Sequence, residues 1–515
     1  MNGAENLINN LAEAGVELCL ANPGTSEMQL VAAIDKQPKI RAVLCLYEGV
    51  VSGAADGYGR MADKPALTLL HLGPGFANAS SNLHNARRAY SPVLNMIGDH
   101  ATYHLQYDAP LTADIEGFAR PVSSWIGTST SPENLAEIGM EAWGQSQVYP
   151  GRVTSFIAPA DHAWTDLEAK SIPTPALEQA PKWHAEDLAR AAEALRSGEP
   201  CAIMLGGRAL RASELEFAGK IVAATGCRLI SETFYARRER GTGRVPVERL
   251  PYFGEQAQGY IAEFKHLIFI GTKPPVSFFA YPNKPSWLSP DGANIIELAD
   301  VSTDALDALS RLADAVNATT EKPVRQERQQ HELEHGAINA LELGKILTNR
   351  MPEDTIVSDE GATNGLWVYA MTEGAAAHDW MTLTGGSIGQ GLPLALGASL
   401  ARPNQKVIAL QADGSAMYTV QALWSIAREQ CDITVILLNN SSYAILNIEL
   451  ERVGVADPGP TAKSLLDLSN PVIKWAEIAK GMGIEACTVT TVADCDAAVE
   501  RAMAQKGPYF IEVIV

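Results

Sequence analysis

Two apolar runs near the C-terminal end stop at polar side chains that could bind a metal ion. Residues 407–440 read VIALQADGSAMYTVQALWSIAREQCDITVILLNN, and the first run, Val407–Leu410, is soon followed by Asp413. The second run, Ile433–Leu438, is followed by two asparagines, of which the second is Asn440. Carboxylate and amide oxygens suit a hard divalent cation, and Mg²⁺ typically takes one or two protein ligands beside phosphate oxygens. These residue types therefore predict a site for Mg²⁺ and a phosphate group.

The elements that must position these groups are two parallel strands joined by a helix, which we predict over Thr419–Gln430. Parallel strands end at one edge of their sheet, where ligands bind, and one crossover separates the two polar stops. Gly414 and Ser415 would open a helix whose free N–H groups and dipole favour an anion. The alternative is an Asp413 that caps a helix before an Asn-rich turn. The paired asparagines after the neighbouring strand favour the metal and diphosphate interpretation.

Helical and strand patterns alternate along almost the whole chain. This order predicts an α/β fold in which largely parallel sheets are flanked by helices. Two connectors without apolar periodicity divide the chain, SIPTPALEQAPKW at Ser171–Trp183 and NATTEKPVRQERQQHELEHG at Asn317–Gly336. They predict three domains, at residues 1–175, 180–320 and 335–515.

The composition disfavours several classes of partner. Of the 515 residues, 46% are hydrophobic and 19% are charged, which is ordinary for a globular protein. The formal net charge of −20 disfavours nucleic acid and anionic membrane surfaces, because both attract clustered Lys and Arg. The RRER run at Arg237–Arg240 comes nearest to a basic patch, and we expect a solvated loop or a local ion-pair cluster there.

The seven cysteines are dispersed without a CxxC pair, which favours a reducing compartment over a disulfide framework or a zinc site. The N-terminal stretch MNGAENLINNLAEAGVELCL predicts an amphipathic helix followed by a strand, and it lacks the features of a signal peptide. No apolar run reaches the length of about 18 residues that a membrane span requires. We therefore expect a cytoplasmic protein.

The sequence DGS at Asp413–Ser415, followed after one crossover by NN, resembles the fingerprint of thiamine diphosphate enzymes, usually written GDG…NN. Matching segments occur in order in both outer parts of the chain: ANPGTSEMQL (Ala21–Leu30), LYEGVVSGAADGYGR (Leu46–Arg60), LHLGPGFAN (Leu70–Asn78), GGSIGQGLPLALG (Gly385–Gly397) and KGPYFIEV (Lys506–Val513). Together they resemble the pyruvate oxidase type of this family, which includes acetolactate synthases, pyruvate decarboxylases and benzoylformate decarboxylases. Among these, the motifs most resemble benzoylformate decarboxylase.

The resemblance implies thiamine diphosphate and Mg²⁺ as cofactors. Asp413 and Asn440 would bind Mg²⁺ through their side chains, and Ser442 would bind it through its backbone carbonyl. Ile388 would be the apolar wedge that bends the cofactor, and the carbonyl of Gly386 would accept a hydrogen bond from its aminopyrimidine. The remaining cofactor contacts would come from Gly361, Ala362, Thr363, Gly414, Ser415, Tyr443, Ala444 and Ile445.

Glu48 lies in the apolar stretch VLCLYEGVVSGAA, where a charged, unpaired carboxylate costs several kcal/mol. The resemblance implies that Glu48 hydrogen-bonds N1′ of the pyrimidine and promotes deprotonation of the thiazolium C2, whose carbanion then attacks a 2-oxo acid. His71, at the end of the predicted strand Ala66–Leu70, would be an acid–base group, a role that an imidazole suits. Thr25 or Ser26 would bind the substrate carboxylate. Taken alone, Glu48 could be a helix-start glutamate and His71 a structural histidine.

The chain departs from the family pattern in two places. The first glycine of the fingerprint is Ala412, which would cost about 1 kcal/mol if that position needs a positive φ. The loop Gly271–Lys284 has Phe278, Phe279 and Tyr281 where the benzoylformate decarboxylase pattern has a second catalytic histidine. A more apolar site without that acid would favour carboligation. The middle segment offers a strand and a Gly-Gly turn, CAIMLGGRALR, without a clear flavin signature, so FAD is not expected.

The predicted function is thiamine diphosphate- and Mg²⁺-dependent, non-oxidative decarboxylation of a 2-oxo acid with an aromatic or branched side chain. Two alternatives stay open: a carboligase of acetolactate synthase type, and a nucleotide-binding or catalytically silent thiamine diphosphate-binding protein. The resemblance also implies a homodimer or homotetramer with active sites at subunit interfaces. Each site would combine Glu48 of one chain with Asp413 of the next.

Overall fold

The computed structural model describes all residues, 1–515, and contains three sheets. The first sheet has the strand order β2-β1-β3-β4-β6-β5, and all its strand pairs are parallel. Its strands are β1 (Leu18–Asn22), β2 (Arg41–Leu44), β3 (Ala66–Leu70), β4 (Val93–Asp99), β5 (Trp125–Thr128) and β6 (Val153–Pro159). The helices of this part are α1 (Gly3–Glu13), α2 (Met28–Lys36), α3 (Glu48–Ala62), α4 (Leu72–Ala89), α5 (Ile115–Ala119), α6 (Asn134–Ser146) and α7 (Ala160–Trp164).

The second sheet has the order β10-β8-β7-β11-β12 and is also entirely parallel. Its strands are β7 (Cys201–Leu205), β8 (Arg228–Ser231), β10 (Glu248–Arg249), β11 (His266–Ile270) and β12 (Asn294–Ala299). The helices of this part are α8 (Ala185–Arg196), α9 (Ala212–Thr225), α10 (Gly254–Ile261) and α11 (Ala305–Ala315).

The third sheet has the order β17-β18-β16-β15-β13-β14-β9, and only the β14–β9 pair is antiparallel. Its strands are β9 (Arg238–Arg240), β13 (Thr355–Glu360), β14 (His378–Met381), β15 (Val407–Ala412), β16 (Ile433–Asn439), β17 (Glu485–Val489) and β18 (Tyr509–Ile514). The helices of this part are α12 (Ala340–Arg350), α13 (Ala362–Met371), α14 (Gly391–Ala401), α15 (Asp413–Ala416), α16 (Ala422–Arg428), α17 (Ala444–Arg452), α18 (Pro460–Ser464), α19 (Trp475–Gly481) and α20 (Val492–Ala504).

The predicted fold class, largely parallel sheets flanked by helices, is confirmed. No helix or strand lies between Trp164 and Ala185 or between Ala315 and Ala340, the regions of the two predicted connectors. The domain boundaries placed there stay a prediction. Each helix is too short or too polar to span a lipid bilayer.

Residues Arg238–Arg240 of the arginine-rich run form an edge strand, which the sequence did not predict. β9 pairs with β14 and thereby joins the middle part of the chain to the third sheet. Arg237 forms an ion pair with Asp379 at 2.6 Å, so the expected ion-pair cluster is present. Arg238 and Arg240 are buried instead of solvated, with Arg240 lying over the ring of Tyr369 at 3.9 Å.

The first and third sheets share one hydrophobic core because α3 packs tightly against α14. A Cβ atom at Gly57 would lie 2.1 Å from the carbonyl oxygen of Leu394, so the two helices approach almost backbone to backbone. The side-chain amide of Asn82, on α4, donates both to the carbonyl of Gly49 at 2.9 Å and to that of Gly389 at 3.2 Å. The start of α3, which carries Glu48, is therefore tied to the loop that precedes α14.

Candidate active site

The predicted metal ligands follow the carboxyl ends of adjacent parallel strands. β15 lies between β13 and β16, and Ala412 is in register with Leu438 of β16. Gly361, Asp413 and Asn440 are the residues that directly follow β13, β15 and β16. The structure therefore places the two predicted side-chain ligands and the predicted diphosphate contact at one edge of the third sheet.

Asp413 carries a buried oxygen that has no partner within the chain. The residue is 2% exposed, its Oδ1 accepts from the N–H of Gly414 at 2.8 Å, and its Oδ2 has no hydrogen bond. Burial raises the pKa of Asp413, although the N–H groups of Gly414, Ser441 and Ser442 favour the carboxylate. A divalent cation on Oδ2 would compensate this charge, so the residues fit Mg²⁺. The structure contains no group of three or more His, Cys, Asp and Glu side chains that could hold a metal ion.

Residues 440–443, which we call the metal loop, follow β16. The side-chain oxygen of Asn440 accepts from the N–H of Ser442 at 3.0 Å, which leaves one lone pair for a cation. The N–H of Tyr443 donates to the carbonyl of Leu466 at 2.9 Å and fixes the far end of the loop. α17 begins directly afterwards with Ala444 and Ile445, and none of its residues is fully buried.

The helix between β15 and β16 is shorter than predicted. α15 has four residues, a 3₁₀ turn follows at Met417–Thr419, and α16 begins at Ala422 instead of Thr419. The hydroxyl of Thr419 donates to the carbonyl of Gly389 at 2.8 Å, a tertiary contact that the local pattern does not encode. Gly414 and Ser415 do lie in a helical first turn, but so short a helix contributes little dipole. Ala412 has a φ of −91°, so alanine at this position causes no strain.

Three non-glycine residues with left-handed backbones lie beside predicted site residues. Ala362, which begins α13 next to Thr363, has a φ of 47°, Ser441 in the metal loop has 51°, and Leu72 beside His71 has 50°. Such a conformation costs about 1 kcal/mol outside glycine, and it persists where the surroundings enforce it, often at functional sites.

Glu360 anchors the loop that carries Gly386 and Ile388. Its carboxylate accepts from the three consecutive N–H groups of residues 389–391 at 2.7, 3.3 and 2.8 Å, and these groups begin α14. Burial raises the pKa of Glu360 to about 7 in spite of these bonds. Because Glu360 immediately precedes Gly361, it connects the predicted diphosphate contact with the predicted wedge.

Glu48 begins α3 and is partly exposed. Its Oε2 accepts from the side-chain amide of Asn78 at 3.0 Å. A Cβ atom at position 75 would lie 3.0 Å from Oε1 and 3.3 Å from Cβ of His71, so Gly75 leaves room between these two side chains. Glu48 and His71 therefore lie close together on α3 and at the start of α4.

His71 is paired with a fully buried carboxylate that the sequence did not single out. Its Nδ1 lies 2.8 Å from Oε2 of Glu27, whose side chain has no exposed surface. The imidazole itself is 23% exposed, so its other nitrogen can face a ligand. Glu27 also accepts from the N–H of Gly24 at 2.7 Å and from the hydroxyl of Ser26. Neighbouring Thr25 is exposed and donates to no partner.

The loop with Phe278, Phe279 and Tyr281 lies against the predicted wedge region. A Cβ atom at Gly386 would lie 2.6 Å from Cζ of Phe278. The Phe278 ring contacts those of Phe234, Tyr252 and Phe279, with centroids 5.6, 5.6 and 4.9 Å away. These four rings form an aromatic wall, and no histidine lies in this loop.

The loop that carries Phe278 and Phe279 is fastened through Tyr281 to α17, the helix after the metal loop. The hydroxyl of Tyr281 donates to Glu449 at 2.6 Å, and Arg452 lies over the Tyr281 ring at 4.7 Å. Arg452 also forms an ion pair with Glu255 on α10. These contacts link the aromatic loop to the helix that directly follows the metal loop.

The predicted residues fall into two groups within one chain. The first group lies on the first sheet and contains Glu48, His71, Thr25 and Ser26, and the second lies on the third sheet and contains the metal and diphosphate residues. No hydrogen bond joins a member of one group to a member of the other. The functions of both groups stay predictions.

Sequence reasoning missed three polar residues: Glu27 and Asn78, which contact predicted site residues, and Glu360, which holds the segment that follows Ile388. Glu27 lies within the quoted motif ANPGTSEMQL, where a glutamate three residues after Gly24 is by itself typical of a helix start. Asn78 ends another quoted motif. In all three cases the partner lies far away in sequence.

Comparison with known protein families defines the class to which this fold and site belong. Residues 1–118 match the model described as "Thiamine pyrophosphate enzyme, N-terminal TPP binding domain", and residues 361–513 match "Thiamine pyrophosphate enzyme, C-terminal TPP binding domain". These ranges contain the first and second groups of predicted site residues.

Two curated relatives cover nearly the whole chain. A Mycobacterium tuberculosis protein named "Putative acetolactate synthase large subunit IlvX" is 46% identical over 100% of this chain and 99% of its own length. The chain therefore belongs to the thiamine pyrophosphate (thiamine diphosphate) enzyme family. Benzoylformate decarboxylase of Pseudomonas aeruginosa is 25% identical over 98% of this chain and 97% of its own length.

Solved structures show the same fold. The 4-hydroxybenzoylformate decarboxylase of Rhodococcus jostii superposes with a TM-score of 0.87, at 22% identity, over 100% of this chain and 99% of that chain. Benzoylformate decarboxylase of Polynucleobacter necessarius superposes with a TM-score of 0.83, at 19% identity, over 100% and 98% of the two chains. The family and the fold expected from the motifs are confirmed.

Proposed function

We propose that this chain catalyses Mg²⁺-dependent, non-oxidative decarboxylation of a 2-oxo acid with an apolar side chain. The observation that carries the proposal is the His71–Glu27 pair beside Glu48. This pair provides an acid–base group next to the glutamate on which cofactor activation depends. Family membership supports the cofactor, and the buried, unpartnered Oδ2 of Asp413 supports the metal.

The residues of the first group divide the proton transfers between them. Bound thiamine diphosphate would supply the carbon nucleophile and the electron sink for loss of CO₂. Asn78 occupies Oε2 of Glu48, which leaves Oε1 to exchange a proton with the cofactor. Glu27 accepts from Nδ1 of His71, so Nε2 is the atom that moves a proton at the substrate. Because Ser26 donates to Glu27, Thr25 is the hydroxyl free to bind the substrate carboxylate.

The second group would hold the cofactor at a subunit interface. Asp413, Asn440 and the carbonyl of Ser442 would bind Mg²⁺, and the starts of α13 and α15 would contact the diphosphate. Apolar side chains near this edge are exposed, among them Leu366 at 48%, Trp367 at 58% and Leu446 at 42%. We propose that a second copy of the chain covers them and contributes its Glu48, in a homodimer or homotetramer.

A carboligase of acetolactate synthase type is the second candidate. The aromatic wall brings no acid toward Gly386, so protonation that releases an aldehyde would be less favoured there. The name of the relative with 46% identity points in the same direction.

Product analysis on a panel of 2-oxo acids tests the proposed function. The panel should contain pyruvate, a branched and an aromatic member, each with thiamine diphosphate and Mg²⁺. We expect CO₂ with an equal amount of aldehyde. Formation of a 2-hydroxy-2-alkyl-3-oxo acid would establish the second candidate instead. Absence of turnover with every member, in protein that binds the cofactor, would refute both.

Replacing His71 with alanine is expected to lower kcat about 100-fold, because the acid–base group at the substrate is lost. Glu27→Gln should also lower kcat, but by a smaller factor, because the imidazole remains and only its carboxylate partner is lost. His266→Ala is a matched control, because His266 is paired with Glu199 at 2.9 Å on the second sheet. Equal activity of the His71→Ala variant and the wild type would remove His71 from the mechanism.

Phe278→Ala is expected to raise KM for an aromatic 2-oxo acid about tenfold more than KM for pyruvate, because the ring against Gly386 is lost from the pocket. Phe279→Ala should have a smaller effect, since its ring is 55% exposed and stacks on Phe278. Steady-state kinetics with both substrates checks this. Identical changes in KM for the two substrates would show that the aromatic wall does not contact the side chain of the substrate.

A further inference from the structure

The metal loop is attached to the last strand of the chain by a buried carboxylate. Glu512 lies on β18, between β16 and β17, and is 5% exposed. Its Oε1 accepts from the side-chain amide of Asn439 at 2.8 Å. Its Oε2 accepts from the hydroxyl of Thr488 at 2.8 Å and from the N–H of Ala476 at 3.4 Å. All three partners are used as donors, an arrangement that suits an ionised carboxylate, which only accepts.

Asn439, the last residue of β16, connects Glu512 to Ser441 in the metal loop. Its side-chain oxygen accepts from the N–H of Ser441 at 3.0 Å and from the Ser441 hydroxyl at 3.2 Å. Ser441 is left-handed, with a φ of 51°, a conformation that costs a serine about 1 kcal/mol. The two hydrogen bonds offset that cost. They fix the turn between Asn440 and Ser442, the two residues of the loop whose oxygens would bind Mg²⁺.

We propose that Glu512 is a positioning residue for the magnesium site and acts through Asn439. The carboxylate orients the Asn439 amide, so that its oxygen faces Ser441 and its nitrogen faces β18. With that orientation fixed, Ser441 stays left-handed and the oxygens of Asn440 and Ser442 stay near Asp413. Groups behind the ligands of a metal site commonly fix ligand orientation in this way. The inference rests on the proposed function in one respect, since it takes the metal loop as the Mg²⁺ site.

Glu512→Gln tests the inference, because glutamine keeps the shape of the side chain and replaces one acceptor with a donor. We expect the apparent dissociation constant for Mg²⁺, measured with thiamine diphosphate present, to rise roughly 10- to 100-fold. At saturating Mg²⁺, kcat should return close to the wild-type value. Binding is measured by titration with Mn²⁺ and detection of free Mn²⁺ by electron paramagnetic resonance, which does not depend on turnover.

Thr488→Val is the matched control, because it removes a donor from the same carboxylate on the side that faces away from the metal loop. It is expected to leave the dissociation constant for Mn²⁺ unchanged. Asn439→Ala should weaken metal binding as Glu512→Gln does, and the double variant should bind no more weakly than Asn439→Ala alone, because the two residues act in series.

The outcomes separate this inference from the proposed function. Wild-type protein that binds no Mn²⁺ with thiamine diphosphate present would overturn the metal site itself. Wild-type binding with an unchanged constant in Glu512→Gln would overturn the positioning role alone. A Glu512→Gln variant that melts at a lower temperature but binds Mn²⁺ normally would show a purely structural carboxylate. If Glu512→Gln does not fold, an unchanged dissociation constant for Mn²⁺ in Asn439→Ala would contradict the inference.

Discussion

Glu48→Gln is expected to lower kcat by at least about 100-fold while the protein keeps its fold and its cofactor. Glutamine has the same shape and can still accept from Asn78, but it cannot exchange a proton at Oε1. The diphosphate and metal residues all lie on the third sheet, so the loss of one carboxylate on α3 should not weaken cofactor anchoring. The measurement is kcat at saturating thiamine diphosphate and Mg²⁺, together with the cofactor-induced rise in melting temperature.

The matched control for this variant is Glu13→Gln. Glu13 ends α1 in the same part of the chain, and its side chain is 72% exposed and paired with Lys39. We expect this variant to behave like the wild type in both measurements. Undiminished turnover in Glu48→Gln would refute the catalytic role of Glu48. Loss of cofactor binding in this variant would show that Glu48 anchors the cofactor instead.

The sequence predicted those parts of the site in which the local pattern of apolar residues and the type of the polar residues point to the same site. The apolar runs of β15 and β16 favour buried parallel strands, and the polar residues that follow such strands share one edge of the sheet. Asp413 and Asn440 were found for this reason. Glu48 and His71 depended instead on a resemblance of motifs, because each residue taken alone has an ordinary structural interpretation.

The parts that could not be predicted depend on pairs of residues that are distant in sequence. Glu27 becomes informative only when its contact with His71 is known, and Glu512 only when its contact with Asn439 is known. The run at 238–240 becomes a strand because β14, much later in the chain, offers it an edge. The local sequence pattern does not reveal any of these partners. The partners nevertheless determine whether the charged side chains are buried.

Asp413→Asn is expected to abolish Mg²⁺-dependent binding of thiamine diphosphate, and with it all turnover. The amide keeps one oxygen but removes the negative charge that a divalent cation requires at this position. At 100 times its dissociation constant a ligand stabilises a protein by about 2.7 kcal/mol, and this stabilisation should be present in the wild type and absent from the variant. Thermal unfolding with and without cofactors measures it.

The same substitution should leave the cofactor-free protein as stable as the wild type or more stable. Burial raises the pKa of Asp413 above its value in the unfolded chain, so folding favours the protonated form. At a pH above the pKa that Asp413 has in the folded protein, its side chain is charged, and the buried charge lowers the free energy of unfolding. At a pH below the pKa that Asp413 has in the unfolded chain, the side chain is protonated in both states and this destabilisation disappears. Asparagine has no such charge, so its advantage should be greatest at neutral pH and should vanish in acid. If the cofactor-free Asp413→Asn protein were less stable than the wild type at neutral pH, the carboxylate would stabilise the fold even without a bound cation.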